Sequence, residues 1–468
     1  MPNGSDPKAI IAERLHAFTQ ETGIPVEVKV LDWSEAHRRI DSGLKVRSGG
    51  PDVVQIGTSW VSDFASRGLL ARLDDHVAEI RPNRFLVTSG KTCRVDGSEA
   101  LWAVPWFVDV RVLLANRRIM DSLEILNVDI ADWTKFRSTL RRIRDAKFLK
   151  DSLTPVRPYG FPGGSDWNIP HNFAPWIWSE GGDFVRKGAD DKWESGLLDP
   201  ATLRGIQKYL SFVQDSLADP AMLSKNTSDV ADAFCEGRQA FVLATSELVM
   251  KTRIAGDSGG LRESPIGKAG IRAFPVPVGP AGSVAFVGGS NLAIPATKSG
   301  DPAALKLLVF LTRPDNMDLY TKRIGFLPAD KAVLKVWAQD PVYRVMVQAA
   351  DRGRVYPSLP QWGPIESSLS QTFGAVWTLV GPGHRYSDEE LHRILVQCDA
   401  RIDSLLGVPP SPLPLDSFKA ILASVKEPPS GSGFPWTTAA GGTIAILLAI
   451  GLFLRIQRRI ALKARTRP

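Results

Sequence analysis

The chain has 468 residues, which is too long for a single core of ordinary size and favours two domains or one large bilobal unit. Its hydrophobic content of 44% and charged content of 23% are ordinary globular values and exclude wholesale disorder. The formal charge of +7 does not indicate a nucleic-acid-binding face, because six basic residues in the last 14 positions leave only +1 for residues 1–454. These six are Arg455, Arg458, Arg459, Lys463, Arg465 and Arg467.

The first 75 residues alternate between helical and strand patterns. Ile11, Leu15 and Phe18 share one helical face in a segment that ends at Gly23. The sequence VEVKVLDW then predicts a strand with one covered face, and PDVVQIG predicts a short buried strand. The following segment, VSDFASRGLLARLDD, predicts a helix. This alternation is typical of an α/β fold with mostly parallel sheets.

The rest of the chain repeats this theme. Residues 132–143, 200–216 and 301–314 predict helices, and residues 239–246 predict a strand. The segment SVAFVGGSNLAIP predicts a strand, a glycine turn and a second strand. Ser387 and Glu390 predict a capping box before a further helix that extends to Leu405. No repeat with a fixed period is present, which argues against solenoids and propellers.

The sequence carries no signature of a catalytic or metal site. The motifs GxSxG, HExxH, GxxxxGK[ST] and strand-linked GxGxxG are absent, and the six histidines stand singly. Cys93, Cys235 and Cys398 are far apart, which excludes the usual zinc spacings and a disulfide framework, although one bridge stays open. We therefore expect no metal, no cofactor and no enzyme activity.

Several of the 13 tryptophans lie in polar loops bounded by glycine or proline. Trp60, Trp106, Trp167 and Trp362 are the four examples. An indole beside Asp, Asn or Ser suits stacking on the apolar face of a sugar ring, while neighbouring carboxylates and amides bind its hydroxyls. Each tryptophan alone could equally be a core residue, but four in one kind of context favour a sugar site.

Five segments, in chain order, resemble the family 1 extracellular solute-binding proteins, which are sugar receptors of bacterial ABC importers distantly similar to maltose-binding protein. The segments are GPDVVQIGTSWVSDFASRGLLARLDD, AVPWFVDVRVLLANRR, SDWNIPHNFAPWIWSEGGDF, FVGGSNLAIP and PQWGPIE. The resemblance extends from about residue 8 to residue 405. It implies a two-lobed periplasmic-binding-protein fold, with crossing strands that join two α/β lobes around a sugar.

The resemblance also implies the boundaries of each lobe. The first lobe would comprise residues 1–110 and 270–313, and the second lobe residues 114–265 and 316–405. A linker rich in Pro, Gly and Ser would follow over residues 406–436.

The resemblance implies a ligand site built from both lobes. The residues that match the family's ligand contacts are Thr58, Ser59, Trp60, Asp109, Arg111, Asp166, Trp167, Ser290, Asn291 and Trp362, and Trp106 is a further candidate from its loop context. Trp362 would be a stacking aromatic, and Asp109 and Arg111 would share one face of a strand. Thr245, Ser246 and Glu247 stand where family members often have Gly-Pro-Trp, so the identity of the sugar stays open.

Residues 437–454 form an uncharged apolar run that predicts a transmembrane helix. Phe434 and Trp436 precede it, as in an interfacial aromatic belt, and the basic residues 455–468 follow it. The positive-inside rule places this tail in the cytoplasm and the lobes in the periplasm or extracellular space. The tail could also bind anionic lipid.

The function that these observations predict is extracytoplasmic sugar binding for delivery to an ABC-type permease. The first alternative is a membrane-tethered sugar sensor that signals to a membrane partner. A glycoside hydrolase is the second alternative, and it would need two carboxylates that converge across a cleft. A nucleic-acid partner is not expected.

The first residues, MPNGSDPKAI, resemble neither an export signal nor the strand that precedes the first helix in the family. Because an exported body needs such a signal, we expect that Met1 is an internal methionine and that the natural start lies upstream.

Overall fold

The structure is a computed structural model that describes residues 6–46, 48–146, 155–164, 166, 168–381 and 383–425. The predicted transmembrane helix over 437–454 and the basic tail over 455–468 lie outside these ranges, as does Trp167. Among the residues that are described, no helix is long and apolar enough to cross a membrane.

Helices make up most of the regular structure of the described residues. In chain order, the α-helices are α1 (Pro7–Thr22), α2 (Trp33–Leu44), α3 (Val61–Ser66), α4 (Val77–Ile80), α5 (Val87–Lys91), α6 (Arg117–Ser122), α7 (Trp133–Asp145), α8 (Ile169–Ser179), α9 (Pro200–Gln214), α10 (Thr227–Cys235), α11 (Ser246–Lys251), α12 (Pro265–Ala269), α13 (Pro302–Thr312), α14 (Pro314–Ile324), α15 (Lys331–Trp337), α16 (Pro341–Arg352), α17 (Trp362–Leu379), α18 (Asp388–Leu406) and α19 (Leu415–Ala423).

Short polar caps fix the ends of these helices. The Asp6 side chain accepts a hydrogen bond from the backbone N–H of Ala9 at the start of α1, and Gly23 ends this helix in the left-handed conformation at φ 75°. Ser387 caps α18 in the same way by accepting from the N–H of Glu390. The helices predicted from residue 9, over 132–143, 200–216 and 301–314, and after Ser387 are therefore confirmed.

The strands form two four-stranded sheets and one hairpin. The strands are β1 (Val54–Gly57), β2 (Val104–Val110), β3 (Val112–Asn116), β4 (Arg157–Gly160), β5 (Val185–Lys187), β6 (Trp193–Ser195), β7 (Gln239–Ala244), β8 (Ile271–Phe274), β9 (Val287–Ala293) and β10 (Leu327–Pro328). The first sheet has the order β1-β9-β2-β10, the second has the order β4-β7-β3-β8, and β5 pairs with β6.

The prediction of mostly parallel sheets is wrong for the strand pairs of the described residues. All three pairings of the first sheet are antiparallel, and in the second sheet only the pairing of β4 with β7 is parallel. The reason is that β9 returns from a distant part of the chain and lies between β1 and β2 in the opposite direction. Sequence periodicity reports which faces are covered, not the direction of a neighbouring strand.

The predicted glycine turn within residues 283–295 is also wrong. Gly288 and Gly289 lie inside the single strand β9. Gly289 has φ 133°, and a Cβ atom there would lie 2.1 Å from the carbonyl oxygen of Phe107 on β2. Glycine is needed at this position for the close approach of two strands, beside the register shift between Pro105 and Phe107.

Two further segments differ from their predicted structure. The segment over residues 26–30 forms neither a strand nor a helix, and α2 begins shortly after it at Trp33. Residues Leu415–Ala423, which lie in the predicted linker, form α19. This helix forms because Phe418 and Leu422 are fully buried, with the Phe418 ring 5.0 Å from the His392 ring of α18.

Each sheet is the centre of a lobe with its own helices. The second lobe buries an aromatic core that includes Phe136, Tyr159 and Phe212. In the first lobe, Arg323 of α14 donates to Glu13 of α1 at 2.8 Å.

These contacts place short segments differently from the predicted boundaries. Strand β8, which starts at residue 271, pairs in the second sheet, whereas α14 and β10 pack on the first sheet. Strand pairing decides these positions, and the other boundaries stay predictions.

Three segments cross between the two sheets. The chain passes from β2 to β3 through Arg111, returns through residues 275–286, and crosses again through residues 353–361. The three segments are hydrogen-bonded together, since the Arg111 N–H donates to the Phe286 carbonyl at 3.1 Å and Phe286 pairs with Arg354. Polar side chains close to these crossings are therefore held by both lobes.

Candidate functional site

The loop after β1 brings three predicted residues, Thr58, Ser59 and Trp60, to the edge of the first sheet. All three are partly exposed. The Thr58 N–H donates to the Gly289 carbonyl at 3.3 Å, which anchors the loop to β9. The Ser59 hydroxyl donates to Glu366 Oε2 at 3.1 Å. Ser59 therefore links the first lobe to a helix of the second.

The Trp60 ring lies beside two other aromatic rings. Its centroid is 5.7 Å from that of Trp33 and 5.1 Å from that of His37, and both contacts are edge-to-face. Trp60 is nevertheless partly exposed, and an exposed indole suits stacking on a sugar.

Asp109 and Arg111 come together as predicted, at the first crossing between the lobes. Arg111 Nη2 lies 3.7 Å from Asp109 Oδ2, and the two side chains are 3% and 15% exposed. Arg111 Nη2 also donates to Asn168 Oδ1 at 2.5 Å. The second carboxylate oxygen, Asp109 Oδ1, and the guanidinium Nε of Arg111 are buried without a hydrogen-bond partner. Such atoms are costly unless a ligand or water satisfies them.

Asp166 organises the start of α8 in the second lobe. Its Oδ1 accepts from the Asn168 N–H at 2.8 Å, and its Oδ2 accepts from the Thr227 N–H at 2.6 Å. Burial raises the pKa of Asp166, but the hydrogen bond from the Thr227 side chain, the two backbone hydrogen bonds and the charge of Arg111 together lower it more, so the pKa lies below its usual value. Asp166 is therefore ionised at neutral pH and fixes Asn168 against Arg111.

His171 and Glu366 complete this group of side chains, although sequence reasoning missed both. His171 Nε2 lies 2.9 Å from Glu366 Oε1, and its Nδ1 lies 3.3 Å from Asn168 Oδ1. The imidazole stacks on Phe286 at 4.2 Å. Both residues lie in segments that carried the family resemblance, NIPHNF and PQWGPIE. Their polar side chains beside the matched tryptophans were the sequence signal that could have identified them as site residues.

These contacts form one continuous polar cluster across both lobes. We call it the inter-lobe cluster, and it runs through Asp109, Arg111, Asn168, His171, Glu366 and Ser59, with Asp166 attached at Asn168. Tyr356, on the third crossing, lies 5.5 Å from the His171 ring, and its hydroxyl is buried without a partner. The cluster can accept and donate several hydrogen bonds to a polar ligand between the lobes.

Four other predicted site residues have structural partners in this conformation. The Trp106 ring stacks on Tyr320 at 4.3 Å, and Trp362 is fully buried, with its ring 4.4 Å from that of Tyr356. Ser290 Oγ accepts from Gln55 at 3.0 Å, and the Asn291 amide donates to Thr92 at 3.0 Å. Their roles as ligand contacts stay predictions, and Trp167 lies outside the described residues.

The cysteines and a groove between α17 and α18 do not contribute to the inter-lobe cluster. All three cysteines are buried free thiols, and burial raises the pKa of the Cys398 thiol to about 11. No group of three His, Cys, Asp or Glu residues in the described ranges could hold a metal ion. A groove of about 480 Å³ between α17 and α18 is lined by polar and apolar residues, which include Gln371, Arg393 and Cys398, and none of the predicted site residues lines it.

Residues 1–318 match the family model described as bacterial extracellular solute-binding protein. The chain belongs to this family. It is 24% identical over 395 residues to a putative binding protein of Brucella abortus, covering 83% of this chain and 88% of that protein. It is 25% identical over 375 residues to the diacetylchitobiose binding protein DasA of Streptomyces coelicolor, covering 78% and 80% of the two chains.

The two-lobed fold has a clear match among solved structures. The GacH receptor of Streptomyces glaucescens, whose structures include a complex with acarbose, superposes with a TM-score of 0.69 at 20% identity. The superposition covers 86% of this chain and 96% of the receptor. The predicted two-lobed α/β binding-protein fold is therefore confirmed.

Proposed function

We propose that this solute-binding protein binds a mono- or oligosaccharide between its two lobes, outside the cytoplasm, and delivers it to an ABC-type permease. The observation that carries the proposal is the inter-lobe cluster, in which Asp109 Oδ1 and Arg111 Nε are buried without partners. Sugar hydroxyls both donate and accept, so one ligand can satisfy both atoms. The ligands named for DasA and for the GacH receptor support a sugar.

The proposal assigns separate roles to the two kinds of residue. Asp109, Arg111, Asp166 and Ser59 bind hydroxyl groups or hold the side chains that do. Trp60, beside Thr58, supplies a ring face. Binding and release need no bond chemistry, because closure of the lobes requires only that the ligand prefers the closed form.

Calorimetry on the full chain, with a panel of neutral, amino and acidic sugars, tests this function. At about 100 times its dissociation constant, a true ligand stabilises the folded state by about 2.7 kcal/mol. The Asp109→Asn variant keeps the side-chain size but removes a charged acceptor, so affinity should fall at least about tenfold, or about 1.4 kcal/mol.

The matched control is Asp121→Asn, which changes an exposed aspartate paired with Arg117 on α6. Its affinity should equal that of the natural chain. If no sugar on the panel binds, the proposed function is wrong. If the Asp109→Asn and Asp121→Asn variants bind the sugar with equal affinity, the role of Asp109 is wrong.

We also propose that residues 437–454 anchor the lobes to the membrane, with the tail 455–468 in the cytoplasm. The support is the uncharged run, the aromatic residues before it and the basic residues after it. A reporter fused after Pro468 should be cytoplasmic, and removal of residues 431–468 should release a receptor that still binds its sugar. A truncated chain that stays in the membrane fraction would contradict this anchor.

A further inference from the structure

Glu366 occupies a position between the two lobes. It lies one helical turn after Trp362 on α17, and its side chain is 18% exposed. One carboxylate oxygen accepts from Ser59 of the first lobe at 3.1 Å, and the other lies 2.9 Å from His171 of the second lobe. A ligand held by both lobes at the inter-lobe cluster would therefore lie against this carboxylate.

The charges of the inter-lobe cluster do not balance. Among the described residues, the side chains bonded within it include three carboxylates, those of Asp109, Asp166 and Glu366, and one guanidinium, that of Arg111. Other titratable groups near the cluster include His171 and the buried tyrosines Tyr209 and Tyr356. Even with His171 protonated, carboxylates outnumber cations by three to two.

The geometry also calls for a hydrogen-bond donor on the ligand at Asp109 Oδ1, beside an acceptor for Arg111 Nε. Ionised carboxylates only accept hydrogen bonds. Asp109 Oδ1 is a buried acceptor without a donor, and Glu366 can accept further bonds at its exposed edge. A hydroxyl or ammonium group meets this need, whereas a ligand carboxylate or phosphate adds a like charge in a poorly solvated site.

We propose that Glu366 selects the ligand by charge, so that the protein binds neutral or amino sugars and rejects uronic, sulfated or phosphorylated ones. This inference rests on the proposed sugar-binding function. Glu366 acts through its negative charge, and its bond to Ser59 serves to orient it.

The first experiment uses a glycan array that holds neutral, amino and acidic mono- and oligosaccharides, probed with the full-length chain at pH 7. We expect the retained glycans to be neutral or amino sugars. Acidic glycans that bind as tightly as their neutral counterparts would overturn the charge selection while leaving sugar binding intact. If no glycan binds, the proposed function itself is wrong, and the charge selection with it.

The second experiment compares variants by calorimetry, with the tightest neutral glycan and its analogue that carries a carboxylate in place of one hydroxymethyl group. Glu366→Gln keeps the size and hydrogen-bonding capacity of the side chain but removes its charge. Its affinity ratio of neutral to acidic sugar should fall at least tenfold. Ser59→Ala removes the bond between the lobes without a change of charge, so both affinities should fall while their ratio stays the same.

The matched control is Glu79→Gln. Glu79, like Glu366, lies beside a histidine, since its Oε2 is 3.1 Å from His76 Nδ1, but it is on the exposed surface at α4. This variant should keep both affinities. Thermal unfolding of each variant checks that it folds. An unchanged ratio in folded Glu366→Gln would show that charge at this position does not decide specificity.

Discussion

The cleft between the lobes and the interior of the second lobe both contain tryptophans and carboxylates, but these side chains differ in how far they are buried. In the cleft, Trp60 is partly exposed with edge contacts to two rings, and Asp109 has an oxygen without a partner. At the second lobe, Trp362 is fully buried, and Asp399 is buried next to other carboxylates. The comparison teaches that residue type does not distinguish a binding group from a core group, whereas the exposure of each side chain does.

The two tryptophans give the largest expected difference. Trp362→Ala should destabilise the protein by about 3–5 kcal/mol, because it removes a large buried ring and leaves a cavity. Trp60→Ala should cost far less stability but weaken sugar binding by about threefold to tenfold, as expected for one lost ring contact. Denaturant unfolding and calorimetry on the folded protein measure the two effects.

Trp362→Phe is the control, since it retains an aromatic ring in the same space and should recover much of the stability. If Trp362→Ala remained as stable as the natural chain and lost its ligand, Trp362 would belong to the cleft, and the comparison would fail.

The carboxylate of Asp399 in the second lobe should make the stability of the fold depend on pH. Burial is the largest cause that raises its pKa, to about 6, with Asp403 and Asp199 adding to it against a hydrogen bond from Ser195. A raised pKa means that the folded state holds the proton more tightly than the unfolded state. The carboxylate therefore destabilises the fold above about pH 6, and this effect disappears as pH falls toward 4.

Asp399→Asn should consequently raise the free energy of unfolding by about 1–3 kcal/mol at pH 7.5 and leave it nearly unchanged at pH 4. Denaturant titrations at the two pH values measure this change. Asp416→Asn, on the exposed side of α19, should have no such effect at either pH. A loss of stability at pH 7.5 would mean that the ionised Asp399 has favourable partners.

The smallest effect is expected at a contact outside the inter-lobe cluster. Trp193 on β6 donates its Nε1–H to Asp96 Oδ2 at 2.8 Å, which joins the β5–β6 hairpin to the loop after α5. Trp193→Phe removes this exposed hydrogen bond but keeps a ring near Lys187. We expect the variant to lose less than about 1 kcal/mol of sugar-binding free energy. This loss should appear as sugar dissociation that is up to about fivefold faster, while the free energy of unfolding stays unchanged. A slower dissociation would contradict a role of this bond in holding the lobes together.

Local patterns predicted much of the secondary structure and part of the site. The helices α1, α7, α9, α13 and α18 follow from apolar periodicity and end signals, because these depend on neighbours three or four residues away. The proximity of Asp109 and Arg111 agrees with their predicted spacing of two residues, although β2 ends at Val110 and Arg111 lies in the crossing that follows it. The loop Thr58–Trp60 was identified because its segment resembles the ligand loop of the family.

Tertiary structure decided the features that depend on distant partners. The antiparallel position of β9 between β1 and β2, and the pairing of β8 with β3, join segments far apart in sequence, and no local pattern records such a choice. Likewise, Glu366 meets Ser59 across 307 positions, and His171 meets Glu366 across 195. Because burial and hydrogen bonding are properties of the packed chain, only the fold could separate the buried Trp362 from the cleft carboxylate one turn away.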